Sequence, residues 1–289
     1  MKIIDLAQGS DEWFNFRSTK VTATDVAAIC GVSEYSTARQ KWMEKLGLLE
    51  KEENAFMTRG KKLEPVARDY FNQKHNCNFQ PCVGVSEEYP WLMASFDGIE
   101  NSNVLEIKCT SLKKIDQATH GVISLDYILQ LYTQMIVSNA KMGCLFFFHE
   151  DLCHEVWTHS NAEDFLDWKE TILIKGKKFY DINLIDLREP NLQEKDEVER
   201  EDEEWQRRLN RYLNAKKSRE LAEEIEDMEK SRLCELANPE CATKGFGYSV
   251  KKTIRKGKVN YLKIPELEGV NLDPYRKEST IFWNVRECS

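Results

Sequence analysis

The sequence predicts an α/β domain over residues 1–190, a charged amphipathic helix over 191–237 and a basic β-hairpin tail over 238–289. Three observations predict it. The first stretch alternates helical and strand-like segments with apolar residues spread throughout, as a layered domain does. The second is dominated by charge and carries no proline or glycine. The third turns basic and alternates about a Lys256-Gly257-Lys258 turn.

The chain has 289 residues and 41% hydrophobic content, enough for a sizeable core. No run approaches the ~18 apolar residues that a membrane span needs. The opening Met1-Lys2-Ile3-Ile4-Asp5-Leu6 lacks the apolar segment of a secretory signal, so a cytoplasmic protein is expected. Nine cysteines, odd in number, irregularly spaced and without any C-x-x-C, read as reduced thiols rather than a disulfide framework, zinc ribbon or iron–sulfur site. His149, His154 and His159 recur every five residues, which fits neither one helix face nor one strand face, so no zinc site is expected there. The net charge of -8 argues against a globally basic nucleic-acid surface but leaves room for a local basic groove.

Within the first domain, Trp91 to Ile99, the polar turn Glu100-Asn101-Ser102-Asn103 and Val104 to Lys108 read as a tight β-hairpin. Strand alternation puts Glu106 and Lys108 on one face, and pairing across the turn can set Asp97 beside Glu106. Two carboxylates and an ammonium among apolar strands are costly unless something offsets the like charges. A hard divalent cation with oxygen ligands does so. Mg²⁺ held by Asp97 and Glu106, with Lys108 beside it, suits phosphodiester hydrolysis. Glu64 in Gly60-Lys61-Lys62-Leu63-Glu64-Pro65 is a further ligand candidate at the start of a predicted helix, since Pro65 suits a first helical position. On these residues alone an ordinary charged hairpin remains an open alternative.

Six motifs stand in one order: Gln8-Gly9-Ser10-Asp11-Glu12-Trp13 through Arg17; Val21-Thr22-Ala23-Thr24 through Gly31; Gly60 to Glu64; Ala94-Ser95-Phe96-Asp97-Gly98; Leu105-Glu106-Ile107-Lys108-Cys109; and Asp126-Tyr127 through Gln130 to Gln134. In this order the chain resembles the YqaJ-type viral recombinase family, the phage lambda exonuclease branch of the PD-(D/E)xK nucleases. The resemblance implies a restriction-endonuclease-like core, a mixed central sheet flanked by helices. It further implies that Glu64, Asp97, Glu106 and the Ile107 carbonyl bind two Mg²⁺ or Mn²⁺ ions, that Lys108 is the catalytic lysine and that Gln130 orients the site. Arg17, Thr24 and Ser95 occupy the positions that grip a terminal 5′-phosphate, chemistry that a guanidinium fork and hydroxyls suit. Trp13 is placed to stack near the duplex end.

The implied activity is 5′ to 3′ digestion of double-stranded DNA ends to mononucleotides, leaving a 3′ single strand for an annealing recombination protein in a bacterial or phage-infected cell. The implied assembly is a homo-oligomer, a trimeric ring. Alternatives on the same fold are a structure-specific endonuclease, a single-strand nuclease or a non-catalytic DNA-end-binding scaffold. Two departures stand out: Phe96 replaces the proline of the PD motif, and Thr24 replaces a common serine.

Over 194–232, 24 of 39 residues are charged, in an acidic, a basic and again an acidic block. Trp205, Leu209, Leu213, Leu221, Ile225 and Met228 recur at roughly helical spacing. The stripe lacks three clean heptads, so a solvated helix is expected rather than a coiled coil. Beyond Asn238-Pro239 the tail is net basic, with Gly245 to Leu262 expected to form a hairpin.

Overall fold

The predicted hairpin is the centre of a seven-stranded mixed sheet. The computed structural model describes residues 1–6, 9–49, 55–150 and 152–251, and the chain divides into two compact units, residues 1–198 and 199–289. In the first unit the order is β1 (Lys2–Ile3), α1 (Asp11–Ser18), β2 (Val21–Thr22), α2 (Val26–Cys30), α3 (Ala38–Lys45), α4 (Ala55–His75), β3 (Gln80–Val85), β4 (Leu92–Glu100), β5 (Asn103–Cys109), α5 (Leu112–Thr119), α6 (Leu125–Ser138), β6 (Met142–His149), β7 (Leu152–His159) and α7 (Glu163–Phe179). A π-helical turn, Tyr180–Ile185, extends α7.

The sheet runs β1-β3-β4-β5-β6-β7, with β2 parallel to the start of β4. Strands β4 and β5 meet as predicted, Glu100 opposite Asn103, with Asn101 at φ 54 in a two-residue turn. Strands β5 and β6 are parallel, and the crossover between them is made by α5 and α6. One sheet face packs Leu92, Ala94, Phe96 and Val104 with α2, α6 and α7. The other packs Leu105, Ile107 and Phe146 against Ala67 and Phe71 of α4. The expected α/β architecture therefore holds.

Two expectations change. Pro65 does not start its helix but lies inside α4, on an exposed turn. Ala67 and Phe71, four apart and at 0% exposure, fix α4 to the sheet, and that burial offsets part of the roughly 3 kcal/mol a mid-helix proline costs. The charged helix of the second unit, α8 (Glu203–Leu236), starts later than residue 191, because the Asp202 side chain caps it by accepting the Trp205 N–H at 3.0 Å. Residues 191–198 belong to the first unit, where Lys195 donates to the carbonyls of Ser33 at 2.8 Å and Glu34 at 3.2 Å. In the second unit a hairpin forms between β8 (Thr243–Gly245) and β9 (Tyr248–Val250), where Phe246 at φ 50 and Gly247 at φ 83 make a turn that matches strand twist. The expected Lys256-Gly257-Lys258 turn lies outside the described residues.

Candidate active site

A fork in the sheet creates the site. On one edge of β4, β2 pairs only as far as Thr22↔Met93, and β5 begins only at Gly98↔Leu105. Residues 94–97 therefore face a gap, and their backbone groups need other partners. The Gln134 amide donates to the Ser95 carbonyl at 2.9 Å, and Arg68 donates to the Asp97 carbonyl.

On the opposite edge, β3 pairs Gln80↔Ile99 and then Cys82↔Phe96, so Asp97 and Gly98 together oppose Pro81. This is a β-bulge, and a proline without an N–H suits the strand facing it. A Cβ on Gly98 would lie 2.8 Å from Phe79 Cβ, which is why glycine follows the aspartate. The bulge ends the regular β4–β5 pairing one residue short of Asp97. Asp97 is therefore not a simple cross-strand neighbour of Glu106, as alternation predicted. Its Oδ2 instead accepts the Ile107 N–H at 2.8 Å.

Glu106 is 2% exposed, with both oxygens hydrogen-bonded. Its Oε1 accepts from Lys108 Nζ at 2.6 Å and Gln130 Nε2 at 2.7 Å, and its Oε2 from Gln134 Nε2 at 2.5 Å. Lys108 also donates to Gln130 Oε1 at 2.8 Å. The two glutamines come from α6, where Ser124 caps the first turn and spacing of four aligns both amides on one face. Gln130 thus contacts both Glu106 and Lys108.

Burial raises the Asp97 pKa well above the ordinary carboxylate range, Glu106 and Glu64 raise it further, and Lys108 offsets only part. Burial also raises Glu64, against the nearby Arg68. Burial alone would lower Lys108, yet Glu106 and Asp97 outweigh it and hold the ammonium above its usual value. Carboxylates and a backbone carbonyl are the donors that a hard divalent cation prefers, and their mutual repulsion is what such an ion relieves. Among the described residues, however, no three His, Cys, Asp or Glu side chains are grouped as a ready ligand set. Glu64 is turned towards Arg68 at 3.3 Å, so the donor chemistry fits while the grouping is not closed.

Of the second predicted group, Arg17 and Thr24 are in contact, while the Ser95 hydroxyl touches neither through a hydrogen bond. Arg17 donates to Thr24 Oγ1 at 2.5 Å, and Thr24 follows β2 past Ala23, whose N–H donates to Met93 O, so the chain runs towards Ser95. The Ser95 hydroxyl is buried without a hydrogen-bond partner, an acceptor or donor in reserve. Trp13, at 6% exposure, packs with Val83, Val85 and Met93 and carries the Arg17 guanidinium 5.1 Å over its ring. Buried there, it supports Arg17 rather than presenting a stacking face to a duplex end.

Four residues with a part in these clusters carried no role in the sequence reading. Arg68 stands one helical turn from Glu64, a spacing that could have marked it. Gln134 was visible only as a polar neighbour of Gln130. Asp25 accepts from Thr22 N at 2.9 Å, Thr22 Oγ1 at 2.6 Å and Lys45 Nζ at 2.8 Å, with Arg17 Nη2 at 4.0 Å from its other oxygen. Nothing local signalled Lys45, twenty residues away.

The model of the YqaJ-like viral recombinase domain matches residues 12–141, which bears out the resemblance drawn from the six motifs. No curated protein sequence matches the chain. Among solved structures, an alkaline exonuclease, LHK-Exo, from Laribacter hongkongensis is 22% identical, with a TM-score of 0.52 over 62% of this chain and 96% of that one. A phage related exonuclease from Haemophilus somnus 129PT is 14% identical, with a TM-score of 0.45 over 61% of this chain and 99% of that one. The first likeness shows a shared fold.

Proposed function

On the premise that residues 12–141 carry a YqaJ-like viral recombinase domain, we propose that this chain is a metal-dependent exonuclease acting on linear double-stranded DNA. It digests 5′ to 3′ from phosphorylated ends, releases mononucleotides and leaves a 3′ single strand for an annealing protein. The observation that carries this reading is the fork: a hydrogen-bonded Glu106–Lys108–Gln130 group beside the Asp97 carboxyl, which accepts the Ile107 N–H, with Ser95 two residues away on the same strand. A homo-oligomeric ring would reconcile the net charge of -8 with a basic inner surface.

Glu64, Asp97, Glu106 and the Ile107 carbonyl would hold Mg²⁺ or Mn²⁺, which supplies neutralisation of phosphoryl oxygens and activation of water. The chain's own residues do the rest. Lys108, protonated and fixed by Glu106 and Gln130, offers a preorganised positive charge where charge develops on the phosphoryl group. Gln130 and Gln134 keep the Glu106 carboxylate from turning away. Arg17 with Thr24 and Ser95 grips the terminal phosphate and so sets which bond reaches Lys108.

The test is Mg²⁺-dependent digestion of linear duplexes with 5′-phosphate or 5′-hydroxyl ends, with circular and single-stranded controls and Lys108→Ala in parallel. The expected outcome is rapid release of mononucleotides from the phosphorylated linear duplex, lost in the variant. Cutting of circles would establish an endonuclease instead, and binding without cleavage a scaffold.

A further inference from the structure

Next to the fork lies a cleft of about 200 Å³ lined by Glu34, Tyr35, Lys114, Gln117, Ser124 and Tyr127, among others. Its polar centre is Lys114, whose Nζ donates to Tyr35 Oη at 3.1 Å and Tyr127 Oη at 3.2 Å. It also lies 5.6 Å and 5.4 Å from the two ring centroids. Among the described residues no carboxylate comes within 4.0 Å of it, so this ammonium meets two phenols and no counter-ion. Tyr35 is 59% exposed, an aromatic side chain in solvent beside a cation. Glu34 is the one acid on the lining.

The ring of Tyr127 joins the cleft to the candidate active site, because Lys108 Nζ stands 4.7 Å from its centroid. Helix α6 then acts as a ruler. Tyr127 contacts Lys114 and Lys108, Gln130 one turn later contacts Lys108 and Glu106, and Gln134 a turn beyond contacts Glu106 and the Ser95 carbonyl. Seven residues of helix span about 10 Å. The cleft and the Ser95 carbonyl therefore lie towards opposite ends of this row, with Glu106 and Lys108 between them.

We propose that this cleft is a nucleotide subsite for the strand being cut, on the 3′ side of the scissile bond. Lys114 takes the phosphate of the adjoining nucleotide and the exposed face of Tyr35 stacks its base. Aromatic faces take any base, and an ammonium without a counter-ion takes a phosphate oxygen, so the subsite is tolerant of sequence. Glu34 repels the backbone and so favours placing the phosphate at Lys114. This inference rests on the nuclease reading and adds to it a second grip on the strand, independent of the 5′-phosphate.

The experiment uses the full chain as wild type, Tyr35→Ala, Tyr35→Phe and Lys114→Gln. Affinity for a short single-stranded oligonucleotide is measured without divalent ions, and KM and kcat on linear duplex are measured with Mg²⁺. Tyr35→Ala and Lys114→Gln should each weaken oligonucleotide binding about tenfold and raise KM more than they lower kcat, while Tyr35→Phe keeps most of the affinity. The preference for phosphorylated over hydroxyl ends should stay as in the wild type. Affinity and KM within twofold of wild type in both variants, in a chain that digests DNA, overturn the subsite and leave the nuclease reading standing. A wild-type chain that neither binds nor cleaves DNA overturns both.

Discussion

Two aspartates that flank the start and the middle of β4 are drawn out of water and settled in opposite ways. Asp25, 3% exposed, accepts two hydrogen bonds from Thr22 and one from Lys45. Burial alone would raise its pKa, but Lys45 and Arg17 hold it well below the ordinary carboxylate range. Asp97 accepts one backbone N–H and sits near Glu106 and Glu64, and burial with those two charges drives it well above that range. The first is a finished ion pair, and the second is short of positive charge. Structural electrostatics neutralise themselves, whereas a site built for another molecule leaves a deficit for that molecule to fill.

The largest effect expected from this contrast is on activity. Asp97→Asn should cut digestion of linear duplex at least 10³-fold, about 4 kcal/mol in barrier. Its melting temperature should stay level or rise, because a repelled carboxylate is gone. A melting temperature that drops by several degrees would make Asp97 structural. Asp25→Asn should do the reverse, since it leaves the Lys45 side chain, 6% exposed, buried without a counter-ion. We expect a loss of about 3–5 kcal/mol in urea unfolding, partly recovered when Lys45→Met is added. No recovery in the double variant would show that the pair is not what holds α3 to β2.

This contrast was only partly legible in the sequence. Alternation and the polar turn Glu100-Asn101-Ser102-Asn103 were enough to pair β4 with β5 and to bring Glu106 and Lys108 to one face. Motif order was enough to associate Arg17 with Thr24 and Gln130 with Lys108. The bulge at Asp97 and Gly98 was not legible, because it depends on how Pro81 pairs from another strand. Lys45 read as one more helical charge, since burial is decided by packing rather than by residue type. The start of α8 was obscured for the converse reason, Asp202 being one acid among many until its side chain is seen to cap.

A divalent cation should sharpen the same contrast without any assay of cleavage. At about 100 times its Kd, Mg²⁺ or Mn²⁺ should stabilise the wild type by about 2.7 kcal/mol, read as a rise in melting temperature. Asp25→Asn should show the same increment from a lower baseline, and Asp97→Asn little or none. Equal increments in all three proteins would move the ion elsewhere.

The smallest effect concerns a third carboxylate, which lies between the two extremes. Glu155 accepts from Lys74 Nζ at 2.7 Å, His75 Nε2 at 2.9 Å and Trp157 Nε1 at 3.1 Å. Burial would raise its pKa, but these donors bring it from 4.5 to about 2. A folded-state pKa below the unfolded one means the stabilisation is complete above pH 4.5 and is lost as pH falls towards 2. Lys74 is 44% exposed, so solvent screens the pair and the expected loss is about 1 kcal/mol. Urea midpoints at pH 7 and pH 3 should therefore differ less in Glu155→Gln than in the wild type. Asp97 pulls the other way, because a raised carboxylate destabilises as pH climbs through its folded value. Replacing Asp97 by Asn should thus enlarge the stability gained between pH 3 and pH 7, while replacing Glu155 by Gln shrinks it, and a pair of variants that shift the profile in the same direction would break the division between completed and uncompensated charge.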